Sequence, residues 1–171
     1  QVSFSNSYAT PPTTSEGVAD GMFTKSFTGR AWAEGDSFTF NIAKKSYQAS
    51  EGAEVETDGA AVEAMPLPEQ TSATVTLADL NPNSTTDASF GFGTITFSKP
   101  GIYTYEVRET PGASNNGITY SDNVATVVFT VTDTTTGQYD VECSITYSDA
   151  SENGVFQNTY AATGWLPGAA N

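Results

Sequence analysis

Ten residues constrain this chain more than any others: Pro100-Gly101-Ile102-Tyr103-Thr104-Tyr105-Glu106-Val107-Arg108-Glu109. Pro-Gly punctuates the end of one run, and strict alternation begins. Alternation at every second position predicts a strand with two unlike faces. Tyr103, Tyr105, Val107 and Glu109 share one face, and Thr104, Glu106 and Arg108 the other. The first set is apolar up to its last member, a carboxylate. A carboxyl group facing a core is costly unless it is protonated or partnered. Two readings stand open. Either the strand has ended at Glu109, because Thr110-Pro111-Gly112 signals a turn, or Glu109 faces the core and has a partner there.

The rest of the chain has the same texture. Phe23 to Phe27, Phe38 to Ile42, Thr74 to Leu77, Phe92 to Phe97, Val124 to Val131, Tyr139 to Tyr147 and Val155 to Tyr160 are short runs rich in Thr, Val, Tyr and Phe, as strands prefer. Turn signals separate them, among them Glu34-Gly35-Asp36, Asn81-Pro82-Asn83, Asn115-Asn116-Gly117 and Asn153-Gly154. Residues 44–73 are richer in Ala and Glu and form one long excursion with room for a helical turn. Evenly spaced strands with such turns predict an all-β, antiparallel sandwich.

The ends of the chain repeat each other. Phe4-x-Asn6-Ser7-Tyr8-Ala9 aligns without gaps with Phe156-x-Asn158-Thr159-Tyr160-Ala161, and such a repeat precedes any other reading. Residues 1–10 are then expected to be the C-terminal strand of a preceding repeat, 11–20 a linker, 21–162 one full repeat, and 163–171 a linker or tail.

Composition excludes much. Twenty acidic residues against six basic ones leave a net charge of −14. Nucleic acid and anionic membrane both require a basic footprint, so neither is an expected partner. There is no histidine, which removes the commonest general base and metal ligand. Cys143 is the only cysteine, so no internal disulfide can form. No apolar run reaches transmembrane length and no signal peptide is visible. The chain is therefore read as soluble or as an excised piece of something longer.

Few side chains are left for chemistry. Lys25 shares parity with Phe23 and Phe27, and Asn158 with Phe156 and Tyr160. With Glu109, that makes three polar residues on the core parity of a first, a middle and a last strand. Taken singly, Lys25 reads as an edge lysine snorkelling outward and Asn158 as an ordinary hydrogen-bonded core amide.

With Phe23-Thr24-Lys25, the decapeptide, Gly117-Ile118-Thr119-Tyr120-Ser121-Asp122 and Phe156-Gln157-Asn158-Thr159-Tyr160 in this order, residues 21–162 resemble the isopeptide-linked pilin domains of Gram-positive bacteria, in the group of the streptococcal backbone pilin and T-antigen. The resemblance implies an Ig-like (CnaB-like) sandwich. It also implies a spontaneous amide with Lys25 as nucleophile, Asn158 as electrophile and Glu109 as catalytic acid/base. The chemistry suits the parity. Burial lowers the pKa of an amine and raises that of a carboxyl group. Lys25 would then attack as a neutral amine, and a protonated Glu109 would donate to the Asn158 carbonyl and return a proton to departing ammonia. The event happens once per molecule, so the expected protein is not a turnover enzyme.

The expected role is a structural stalk module of a cell-wall-attached surface adhesin or pilus, on the outside of a Gram-positive bacterium. Its partners would be neighbouring repeats, with any host ligand held by other domains. No cofactor and no metal is expected. The acidic residues near Ser121-Asp122-Asn123 and at Asp133 lack the spacing of a calcium loop. Cys143, on the parity of Val141 and Ile145, reads as a buried inert thiol rather than a thioester. Asn83-Ser84-Thr85 matches a glycosylation acceptor of little meaning in a bacterial protein. Leu166-Pro167-Gly168-Ala169-Ala170 lacks a full sortase pattern. Two rivals are an adhesin domain that binds carbohydrate or host protein through Trp32, Trp165 or the 44–73 excursion, and a glycosidase, which needs two facing carboxylates in a cleft.

Overall fold

The computed structural model describes residues 3–15, 18–19 and 21–162. The strands in chain order are β1 (Thr13–Ser15), β2 (Phe23–Thr28), β3 (Ser37–Gln48), β4 (Val55–Glu56), β5 (Ser72–Thr76), β6 (Asp87–Phe90), β7 (Ile95–Phe97), β8 (Gly101–Thr110), β9 (Ile118–Thr119), β10 (Val124–Asp133), β11 (Tyr139–Tyr147) and β12 (Phe156–Tyr160). One short helix, α1 (Gly59–Glu63), lies between β4 and β5. No helix among the described residues is long and apolar enough to cross a membrane.

Two sheets form an Ig-like sandwich. The larger has the order β11-β10-β8-β3, with β5 and β4 pairing different ends of β3. The smaller has the order β6-β2-β12-β9. Aromatic rings join the two. Phe40 of β3 stacks on Phe90 of β6 at 4.1 Å between ring centres and meets Phe156 of β12 at 5.1 Å. The inward set of β8 is Tyr103, Tyr105, Val107 and Glu109, all buried. The strand does not end before Glu109.

β2 and β12 run parallel, while the other named pairs are antiparallel. Parallel neighbours need a crossover connection, and here it is everything between β2 and β12. Phe156 stands beside Lys25, and Asn158 beside Phe27.

Several expectations are corrected. β3 does not stop at Ile42 but runs to Gln48, so the excursion begins only after it. Lys44 breaks the alternation of Phe38, Phe40 and Ile42, and a bulge between Lys44 and Ser46 resets it, so that Tyr47 points inward again. Lys44 and Lys45 are therefore strand residues. Lys44 Nζ donates to the Glu63 carbonyl at the end of α1, and Lys45 pairs with Glu106 on the outer face. Residues 3–9 form no strand; Tyr8 instead meets the β10–β11 turn through its hydroxyl, which donates to Asp133 at 3.0 Å and accepts from the Gly137 N–H at 3.0 Å. Within the expected linker, Thr13–Ser15 pair with β7, and Val18 is fully buried. Phe92 to Phe97 is not one strand, because Gly93 (φ +84°) bends the chain ahead of β7. Cys143 is exposed rather than buried. It faces inward opposite Phe129, but β11 is the edge of its sheet, beyond the cover of the smaller one. Trp32 is buried, with Phe27 and Phe38 against it and its Nε1 donating to the Thr86 carbonyl, so it is no ligand platform. Trp165, Leu166 and the expected tail lie outside the described residues.

One glycine marks the close approach of β12 to the end of β2. Gly29 follows β2 at φ +95°, and a Cβ there would lie 2.1 Å from the Tyr160 carbonyl oxygen. Gly35 has φ +90° with open space around it. Both Gly→Ala changes incur the left-handed backbone penalty of roughly 1–2 kcal/mol, but only Gly29→Ala also collides with backbone. Thermal unfolding followed by circular dichroism should show Gly29→Ala several degrees below Gly35→Ala. Equal midpoints would mean that the β2–β12 approach at Gly29 is not tight.

Candidate functional site

The parallel pairing of β2 and β12 brings two side chains to the same part of the core, and β8 supplies the third from the opposite sheet. Lys25 and Asn158 are fully buried, and Glu109 is 6% exposed. One atom links them: Glu109 Oε1 accepts from Asn158 Nδ2 at 2.7 Å and lies 3.8 Å from Lys25 Nζ. The longer distance is beyond a hydrogen bond. The amine instead donates to the Phe156 carbonyl at 3.3 Å and sits over the Phe38 ring, 4.6 Å from its centre.

This environment favours the neutral forms. Burial pushes the Lys25 amine down to about 7, against the opposing pull of the Glu109 and Glu152 carboxylates. Burial also raises the Glu109 carboxyl, though Lys25, Asn158 and the Ser121 N–H act the other way. A neutral amine beside a protonated carboxyl has the proton inventory that aminolysis of an amide needs.

In one respect the geometry departs from the sequence-based expectation. The Asn158 carbonyl oxygen does not face Glu109. It accepts from the Ser121 backbone N–H at 2.7 Å, and that donor fixes the orientation of the amide. Glu109 faces the amide nitrogen, the atom that would leave. Ser121 N–H also reaches Glu109 Oε2 at 3.2 Å. A backbone donor has no residue-type signature, so parity along strands could not reveal it. The Gly117-to-Asp122 segment was visible as a hairpin motif, but nothing in it marked Ser121.

Among the described residues, the other candidates do not assemble a comparable site. Asp122, Asp149 and Glu152 place one carboxylate oxygen each within 4.8 Å of one another. Glu152, however, accepts from Ser121 and Gln157, and Asp149 from Ser151, so these groups hold loops together. A groove of about 550 Å³ is lined by Ala49 to Glu51, Pro100 to Ile102 and Val128 together with Thr130 to Asp133. It offers no aromatic side chain on which a sugar could stack.

A family model described as the Spy0128-like isopeptide-containing domain, FctA, matches residues 22–161. Among curated proteins none matches. Among solved structures, the major pilin of Streptococcus pyogenes is 19% identical with a TM-score of 0.50, over 90% of this chain and 51% of that one. The T-13 major pilin of the same species is 19% identical with a TM-score of 0.49, over 91% and 54%. The chain thus spans about half the length of these solved pilins. At 19% identity the likeness to the former concerns the fold alone, and it agrees with the two-sheet β architecture.

The amine gives a pH test. Asn158→Ala keeps Lys25 a primary amine. An unfolded lysine holds its proton to about 10.5 and the folded one releases it near 7. Between those values the unfolded state binds more protons, so stability rises with pH. Glu109, raised from 4.5, gives the opposite slope from that value upward, so the amine's share is read by comparison with a variant that lacks it. Urea midpoints of Asn158→Ala should therefore climb from about pH 7 to about pH 10, and the double variant with Lys25→Met should lose that climb. A flat profile in Asn158→Ala would mean that the buried amine keeps its proton.

Proposed function

Because the chain belongs to the FctA family of Spy0128-like isopeptide-containing domains, we propose that it is a shaft module of a Gram-positive pilus or surface adhesin, locked by an amide that it forms between Lys25 and Asn158. The observation that carries the reading is the shared Glu109 oxygen, set between a buried lysine and a buried asparagine on adjacent strands.

The step balances without any cofactor. The neutral Lys25 Nζ attacks Asn158 Cγ, whose carbonyl oxygen is polarised by the Ser121 N–H. Nζ gives up one proton and Nδ2 gains one. Glu109, protonated and beside both nitrogens, gives its proton to Nδ2 and is reprotonated by the one that Nζ gives up. The Cγ–Nδ2 bond breaks, ammonia leaves, and a Lys–Asn amide remains. Aromatic packing excludes the water that would otherwise compete as nucleophile. The protein is consumed by the reaction once and does not turn over.

In this reading residues 21–162 are one repeat, residues 1–10 end a preceding one, and the partners are neighbouring repeats on the cell surface. The major pilin of Streptococcus pyogenes, of similar fold, lends its role to this proposal. The adhesin alternative loses Trp32 to the core, and no observed feature favours it.

Intact mass is the test. The wild type should weigh about 17 Da less than its sequence, the mass of lost ammonia. Lys25→Ala, Asn158→Ala and Glu109→Ala should each show the full sequence mass. Glu106→Ala, on the outer face of the same strand, should keep the loss. An unmodified wild-type mass would overturn the reading.

A further inference from the structure

Glu152 takes no part in the proton transfers, yet it is tied to the site at two points. Its Oε2 accepts from Ser121 Oγ at 2.7 Å and from the Gln157 N–H at 2.9 Å. Ser121 lies in the link between β9 and β10, and Gln157 is the β12 residue before Asn158. One carboxylate oxygen thus pins the Ser121 segment to the strand that carries the electrophile.

What it pins matters for the reaction. As Lys25 adds to Asn158 Cγ, negative charge gathers on Oδ1, and the Ser121 N–H already points there at 2.7 Å. A donor placed where charge develops is worth far more than one placed loosely. A backbone N–H is only as well aimed as its loop. Asn123, 1% exposed, holds the far end of this loop. It donates to the Val155 carbonyl at 3.0 Å and accepts from Ser148 Oγ and the Asp149 N–H. Glu152 holds the near end, next to the donor itself.

We propose that Glu152 is a positioning residue for amide formation, holding Ser121 against β12 so that the Ser121 N–H stabilises the oxyanion on Asn158. The proposal rests on the isopeptide reading above. Both donors use a single oxygen of Glu152, so a glutamine carbonyl can replace it while an alanine cannot.

The test follows the reaction as it happens. A pulse of cell-free translation is quenched in denaturant at intervals, and the linked fraction is read from the mass loss of about 17 Da. Glu152→Ala and Ser121→Ala should link about ten- to a hundred-fold more slowly than wild type, because the donor is displaced rather than removed. Glu152→Gln should stay within about threefold of wild type, since its acceptor geometry survives. The same substitutions in a Lys25→Ala background report folding alone, and cooperative unfolding there should persist. If Glu152→Ala fails to fold, Ser121→Ala, which deletes one hydroxyl, decides. Wild-type rates in the foldable alanine variants would overturn the proposal. So would a Glu152→Gln rate as slow as that of Glu152→Ala, which would show that charge matters and bracing does not. A wild type that never loses the mass would defeat the isopeptide reading itself.

Discussion

A primary amine in a dry aromatic core is the interaction on which the rest of the structure depends. Lys25 has no exposed surface, with Phe23 and Phe27 on its own strand and the Phe38 ring under its nitrogen. A charged ammonium there would cost several kcal/mol or more after relaxation. The structure relieves this by favouring the neutral amine and by giving it few polar partners. A neutral amine next to an amide and a carboxyl group is also a reactive arrangement. In the proposed reading, the burial that makes the lysine awkward for stability would also make it a nucleophile, and amide formation would remove the titratable group altogether.

The topology supplies the rest. Lys25 and Asn158 meet because β2 and β12 are parallel neighbours. A bond between them closes a loop of roughly 130 residues, worth about 5 kcal/mol in the chain-entropy picture. That closure needs no oxidising compartment, which suits a chain with one cysteine. The direction of load matters as much. Tension arriving at β2 and leaving from β12 shears two parallel strands past each other, so without a bond only their hydrogen bonds and packing resist.

Much of this was legible in the sequence, and what was hidden has physical reasons. Side-chain parity put Lys25, Glu109 and Asn158 on core faces because a strand has a period of two and one face was aromatic. Parity carries no information about partners, so the parallel pairing of β2 with β12 could not be read. It also fails at bulges, which is why β3 seemed to end at Ile42 when it runs to Gln48. It misled at Cys143, whose inward direction meets solvent because β11 lies at a sheet edge. Ser121 acts through its backbone, and Glu152 sits in a short 3-10 turn ahead of β12. Neither has a periodic pattern to stand out from.

Pulling a single molecule by its two ends tests the central claim most directly. If Lys25 and Asn158 are joined, force runs through a covalent path, and the residues between them stay folded and add no length. Lys25→Ala should instead release that stretch in one event of about 400 Å or more, given about 3.3–3.6 Å per extended residue. Equal extension of wild type and Lys25→Ala would contradict the account, because the sandwich would then be held by packing alone.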